Sequence, residues 1–217
     1  VSIMPCTAKK FEAQRPEMAT NGVPDVDYVL TTRELAKMIK EAGIDFKSLP
    51  DESMDAPLGL SSGAADIFAN TGGVMEAALR TAYEIVTGRE LPADNLHVQA
   101  VAGLGGVKEA ALTIKGTKEE WSFLEGVELK VAVSHGLGNT RRLLEHIKAN
   151  GSPYHFIEVM TCPGGCIGGG GQPRFTDDAV RLKRISAIYS EDESKKMRKS
   201  HENPDIQTLY KEFLGKP

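Results

Sequence analysis

Apolar residues recur along this chain with two periods. Leu35, Met38, Ile39 and Ala42 follow a three-to-four-residue spacing, which predicts a helix from Thr32, placed to cap it, to Ala42, with Gly43 ending it. Further helices are expected over Thr7–Ala13, over Gly73–Val86 closed by Gly88, and over Thr140–Ala149 ended by Asn150-Gly151. Short alternating or continuous apolar runs predict strands at Val1–Met4, Asp27–Thr31, His97–Ala102, Glu109–Ile114, Leu129–Ser134 and Tyr154–Met160. Arg15–Pro24 reads as a polar loop, Gly103–Gly106 as a link, and Ile44–Gly63 as a long irregular stretch of the kind that covers a site. Strand, turn at His135–Asn139, helix and strand between Leu129 and Met160 make a β-α-β unit with a parallel pair. Its Gly136-x-Gly138 is too short for a dinucleotide fingerprint. Beyond Pro173 the pattern changes to a charged amphipathic helix over Asp177–Ile188, a dense charge run over Glu191–Lys199, and a last helix from Pro204 to Phe213. The charges of Arg181–Lys199 read as a solvated face, and Glu76 with Arg80 as a helical ion pair.

Composition narrows the class. With 217 residues, 41% of them hydrophobic, the chain can bury one sizeable core or two small lobes. A formal net charge of −4 gives no electrostatic case for nucleic acid. No apolar run approaches the roughly 18–20 residues of a membrane span, and no signal-peptide pattern stands at Val1. Three cysteines clustered around glycine and proline do not suggest a disulfide framework, so a reducing, cytoplasmic setting is expected. The start at Val1 suggests a fragment or a processed chain.

Chemistry concentrates in Phe156–Pro173. A β-favouring run delivers Cys162 and Cys166 into a loop with four consecutive glycines, Gly168–Gly171. So much glycine carries a large ordering cost, which a bound group can offset. Thiolates are soft ligands, suited to iron–sulfur clusters or zinc. The third thiol, Cys6, is remote, at a strand-to-helix turn where backbone N–H groups favour negative charge, with Lys9 one turn on. Buried apolar thiols and a zinc-binding interaction domain are the competing readings. Structural zinc takes four protein ligands in paired short spacings; none of the five histidines pairs neatly with the cysteines, and His135 and His155 read as structural.

These residues carry a resemblance. Met4-Pro5-Cys6-x-x-Lys9-x-x-Glu12 resembles the second signature of the [FeFe]-hydrogenases, and Glu158-x-Met160-x-Cys162-x-x-Gly165-Cys166 with the glycines after it resembles the third. Pro57–Gly63 and Ile67–Arg80 match the stretch between them. The family's first signature, a Cys-Cys-Pro segment upstream of the second, is not among these residues. Asp66 and Ala69-Asn70 depart from the pattern beside Phe68, and Thr161 replaces a common alanine.

The resemblance implies an α/β fold, two lobes of mainly parallel sheet flanked by helices, the first lobe incomplete. It implies a partial H-cluster domain over residues 1–173 and a small-subunit-like helical belt over 174–217. Cys6, Cys162 and Cys166 match three ligands of a [4Fe–4S] cluster, Cys166 also bridging to a two-iron subcluster with CO, cyanide and dithiolate ligands. Lys9 matches a lysine that hydrogen-bonds an iron-bound cyanide, and Met4, Met160 and Phe68 match residues lining the two-iron site. The implied reaction is reversible oxidation of molecular hydrogen to protons and electrons. The implied partners are ferredoxin or NAD(P)-linked subunits, maturation proteins, and the upstream segment with the fourth cysteine ligand and the proton relay. A sensory hydrogenase-like module and a non-enzymatic iron–sulfur assembly relative share the scaffold.

Overall fold

A computed structural model describes residues 1–92, the backbone of 99–100, and residues 106–215. The chain opens with β1 (Ser2–Met4), turns through Cys6 into the short helix α1 (Ala8–Glu12), and then forms a hairpin of β2 (Ala19–Thr20) and β3 (Val23–Pro24). That hairpin lies inside the expected Arg15–Pro24 loop. It turns at Asn21-Gly22, both with positive φ, the dipeptide best suited to a two-residue hairpin turn. β4 (Val29–Thr31) pairs in parallel with β1 and leads straight into α2 (Thr32–Glu41). The cap of α2 is Thr31 rather than Thr32, because Glu34 stands three residues after Thr31. The Glu34 N–H donates to Thr31 Oγ1 at 3.2 Å, and the Thr31 N–H donates to the Glu34 carboxylate at 2.8 Å.

The irregular stretch from Ile44 holds only a 3-10 turn, Phe46–Ser48, before α3 (Gly63–Ile67), an element the sequence pattern does not announce. Ser62 caps α3 by accepting from the Ala65 N–H at 3.3 Å. α4 (Gly73–Thr87) runs between Gly72 and Gly88, both at positive φ. β5 (Gln99–Ala100), β6 (Val107–Thr113), β7 (Glu128–His135), helix α5 (Leu137–Asn150) and β8 (Phe156–Met160) complete a four-stranded sheet in the order β5-β6-β7-β8. Helix α5 begins within the expected His135–Asn139 turn, with Gly136 as its cap.

The α/β class holds, with helices flanking open sheets. Among the described residues, parallel pairing is confined to β1–β4 and β7–β8, whereas β2–β3, β5–β6 and β6–β7 are antiparallel, so the sheets described are mixed rather than mainly parallel. A parallel neighbour needs a crossover, usually a helix. Between β6 and β7 there is only a 3-10 segment, and the ladder continues into it, the Ile114 N–H donating to Val127 O at 2.9 Å. Of the strand expected over His97–Ala102, only Gln99–Ala100 is described; the remainder, and Gly103–Gly105, lie outside the described residues.

Each face of the four-stranded sheet is covered. Met75 and Leu79 of α4 pack on Val131 and Val133, and Leu143 of α5 packs with Val107 and Ala132. After the cysteine loop, α6 (Asp178–Ser194) lays Ile188 and Tyr189 against Ala64, Ile67 and Ala77. α7 (Pro204–Leu209) follows and ends in a π-turn over Tyr210–Leu214. α6 extends beyond Ile188 into the charge run, which is not simply solvated. Asp192 is fully buried and receives Arg80 Nη1 at 2.7 Å and Arg198 Nη2 at 2.6 Å. Arg80 therefore serves more than the helical pair with Glu76, which it also contacts at 2.5 Å.

Candidate metal centre

Three loops meet at the ends of β1 and β8. Cys6 is half-buried in the turn from β1 to α1, Cys162 half-buried just beyond β8, and Cys166 exposed four residues on; all three are free thiols. The glycine run joins them. The Gly171 N–H donates to Pro5 O at 2.9 Å, which ties the run to the residue before Cys6. A Cβ at Gly169 would stand 2.1 Å from Pro5 O, and one at Gly171 would stand 2.7 Å from the Pro5 carbonyl carbon, so only glycine permits this approach. On its other side the loop is stitched to the turn after α3. The Thr71 N–H donates to Gly164 O and the Ile167 N–H to Ala69 O, each at 3.0 Å. Gly165, at φ +88°, would place a Cβ 2.6 Å from Thr71 N. Asn70, a departure from the family pattern, is buried behind this contact.

The thiols sense one another. Although Cys166 reaches solvent, the protein packed around its sulfur is the largest cause raising its pKa; Cys6 and Cys162 add to the rise and Lys9 opposes it. The Lys9 pKa is raised, chiefly by its hydrogen bond to Glu12 at 2.5 Å, with Cys6 and Cys166 contributing, and burial opposes the rise. Two near thiols, one remote thiol and a cation thus fall within electrostatic range of each other. Met4 at the end of β1 is 37% exposed and Phe68 at the end of α3 is 47% exposed, so both face an open surface; Met160 at the end of β8 is half-buried.

Three residues have supporting roles that the sequence pattern does not give: Arg33 and Arg184 stand in no motif, and Glu158 enters only as a position of the third signature. Glu158, buried within β8, accepts from the Gly72 N–H at 2.6 Å and the Met75 N–H at 2.8 Å, and so caps α4 from a neighbouring strand. An acid inside an apolar strand is the signal that could have pointed to it. Arg33 of α2 and Arg184 of α6 donate to loop carbonyls, Arg33 Nη1 to Gly170 O at 2.7 Å and to Gln172 O, Arg184 Nη1 to Ile167 O at 2.7 Å. Their partners lie far along the chain and leave no local pattern. His155 is structural, its Nδ1 accepting from the Lys130 N–H at 3.1 Å. Glu84, His201 and Glu202 also converge, but Lys199 Nζ already bridges Glu84 at 2.5 Å and Glu202 at 2.8 Å.

The donor set suits a soft metal cluster. Three unpaired thiols lie within electrostatic range of one another beside a glycine loop packed against the Cys6 turn, with the Lys9 cation near Cys6 and Cys166 to offset anionic charge.

Comparison with known proteins agrees. The model of the iron only hydrogenase large subunit, C-terminal domain, matches residues 1–170, and that of the iron hydrogenase small subunit matches residues 178–217. The NADP-reducing hydrogenase subunit HndD of Solidesulfovibrio fructosivorans is 55% identical over 218 residues, covering 100% of this chain and 35% of that protein. A solved [FeFe]-hydrogenase HydA1 from Chlamydomonas reinhardtii superposes with a TM-score of 0.83 at 42% identity, over 100% of this chain and 59% of that one. A more distant relative, cytosolic iron-sulfur assembly component 3 of Mus musculus, is 30% identical over 99% of this chain and 43% of that protein. The chain therefore spans from about a third to somewhat under two thirds of the length of these relatives.

Proposed function

The chain belongs to the iron-only hydrogenase family, and from that premise we propose that it forms the part of an H-cluster domain that holds three of the cluster's protein ligands, in a protein that interconverts molecular hydrogen with protons and electrons. The observation that carries this reading is the meeting of Cys6, Cys162 and Cys166 at one glycine-lined surface beside Lys9. Cys6, Cys162 and Cys166 would hold the [4Fe–4S] cluster, with Cys166 shared with the two-iron subcluster. When bound, the cofactor supplies the iron site at which hydrogen reacts and the exit for its electrons.

The chain's own residues bind and shield. Lys9, kept protonated by Glu12 and by the thiols, offers N–H donors to an anionic ligand. Met4, Met160 and Phe68 would supply polarisable and apolar walls to the two-iron site once the cofactor and the rest of the domain cover the surface that Met4 and Phe68 now expose. In this reading residues 1–173 form the cluster-bearing unit and 174–217 a belt around it. The fourth ligand and the proton relay come from a segment preceding the second signature in the family, and electrons pass to ferredoxin or NAD(P)-linked subunits. Among the described residues, no helix is long and apolar enough to cross a membrane. A cytoplasmic setting belongs to the same proposal. Identity of 55% to a hydrogenase subunit against 30% to an assembly component favours the enzymatic reading.

Anaerobic maturation followed by a hydrogen-evolution assay tests it. The protein that carries this chain is expected to evolve hydrogen and bind iron, with Cys162→Ser losing both. The 217 residues alone are expected to bind a labile cluster without turnover. Iron uptake unchanged in Cys6→Ser, Cys162→Ser and Cys166→Ser proteins would sink the assignment.

A further inference from the structure

The cysteine loop is held by its carbonyl oxygens. We propose that Arg33 and Arg184 are positioning residues that set the shape of the Cys162–Gln172 loop before any cluster arrives, so that the thiols are presented already arranged. This rests on the reading of Cys6, Cys162 and Cys166 as cluster ligands.

Two elements far apart in sequence reach the loop from different sides. Arg33 lies in the first turn of α2, where its backbone N–H donates to Gly171 O at 3.2 Å. Its Nη1 donates to Gly170 O at 2.7 Å and to Gln172 O, so one residue engages three successive carbonyls. Arg184 lies on α6 and donates to Ile167 O, the carbonyl next after that of Cys166, at 2.7 Å, and to Thr176 Oγ1 at 3.3 Å. Between these two anchors run Gly168 and Gly169, whose contacts with Pro163 O and Pro5 O leave no room for a side chain.

The physical need is plain. A run of four glycines is the most expensive kind of segment to order, and the loop has few side chains with which to pack. Charge-assisted hydrogen bonds to its backbone are the remaining means. The location of Arg33 adds to the argument. A cation in the first turn of a helix opposes the helix dipole, so α2 gains nothing electrostatically from an arginine there. The guanidinium offers several N–H donors in a fixed plane, which suits adjacent carbonyls; an ammonium, a compact charge on a flexible stem, does not hold that geometry.

The test uses the protein as its host makes it, stripped of cluster anaerobically, in unsubstituted form and as Arg33→Met, Arg33→Lys and Arg184→Met. The first readout needs no cluster: the rate at which a maleimide labels Cys162 and Cys166. Removing a hydrogen bond to a charged group is expected to speed labelling about tenfold in either Met variant. The second readout is the electron paramagnetic resonance signal and midpoint potential of the reduced cluster after reconstitution with iron and sulfide. A weaker, broadened signal and a shifted potential are expected in the Met variants, with at most partial recovery in Arg33→Lys. Circular-dichroism melting of the stripped proteins reports the global fold; should Arg33→Met melt early, Arg184→Met on its separate helix carries the test. Labelling rates and spectra indistinguishable from the unsubstituted protein would overturn the proposal, as would full recovery in Arg33→Lys. If the unsubstituted protein takes up no iron but the labelling differences persist, the cluster reading fails and the carbonyl clamp stands.

Discussion

A carboxylate buried in a strand must find donors, and Glu158 finds them at the start of a helix. Its two oxygens take the Gly72 and Met75 N–H groups, which no residue within α4 can satisfy. Glu158→Ala strands both donors in the interior and is expected to lower stability by about 2–3 kcal/mol in urea unfolding, with Glu158→Gln losing about half of that. Lys9 is the opposite kind of residue. It is exposed and paired with Glu12, so its contribution to folding is small. Lys9→Asn is therefore expected to leave urea unfolding unchanged while weakening retention of the two-iron subcluster, measured as infrared CO and cyanide band intensity. Unaltered bands with full activity would mean that Lys9 is only a surface charge. Cys6, Lys9, Cys162 and Cys166 stand out in the sequence because thiols and a cation at these spacings lie among glycines and prolines, and the cluster proposed for them is what would dictate residue type at fixed spacing. Arg33 and Arg184 do not, and the signature that contains Glu158 did not give its capping role, because the partners of all three are backbone groups brought close only by the tertiary fold.

At the scale of elements, local chemistry decided what could be read. α2 announces itself by apolar spacing and ends at Gly43, and α4 ends at Gly88 in the left-handed region. α3 has only the five residues Gly63–Ile67, set in a stretch rich in glycine and proline; it is stable because α6 packs on it, which no local signal records. Pairing direction was equally hidden. The β7–β8 pair follows from its crossover helix, whereas the β6–β7 hairpin depends on a connection with no regular period. The glycine loop is an element defined by what it lacks. Gly169→Ala would drive a methyl group into Pro5 O, a backbone atom that cannot swing aside. Separation of the loop from the Cys6 turn is expected, seen as loss of the reconstituted cluster's absorbance with the sheet's circular dichroism retained. Gly22→Ala is the control, since nothing lies within 4 Å of that position and its effect is confined to the hairpin turn.

Over the whole molecule, the charge run after the cysteine loop fastens the carboxyl-terminal segment to the core. Asp192 of α6 has no exposure and gathers Arg80 from α4 and Arg198 from the chain beyond α6, while Lys199 reaches Glu84 on α4 at 2.5 Å. Gly63 lies so close that a Cβ there would meet Asp192 Oδ1 at 2.0 Å, and the Gly63 N–H donates to Met197 O at 2.9 Å. A composition shift marked this segment in the sequence, but the charges read as solvated because burial is a property of the partner surface. Burial alone would raise the Asp192 pKa; the hydrogen bonds from Arg80 and Arg198 outweigh it and hold the carboxyl below its ordinary value. A carboxyl so depressed contributes stability that is present above its unfolded pKa, about 3.9, and is lost as pH falls through the lower folded value. Asp192→Asn leaves two guanidinium groups facing an uncharged amide and is expected to lose about 3 kcal/mol at neutral pH. The same variant has no carboxyl to protonate. The stability gap between it and the unsubstituted protein should therefore stay level from pH 7 to about 5, then narrow as the acid limb is entered. Urea unfolding at a series of pH values measures that gap. A gap that keeps its neutral-pH size through the acid limb would show that Asp192 acts by shape alone, and that its ion pairs do not hold the segment in place.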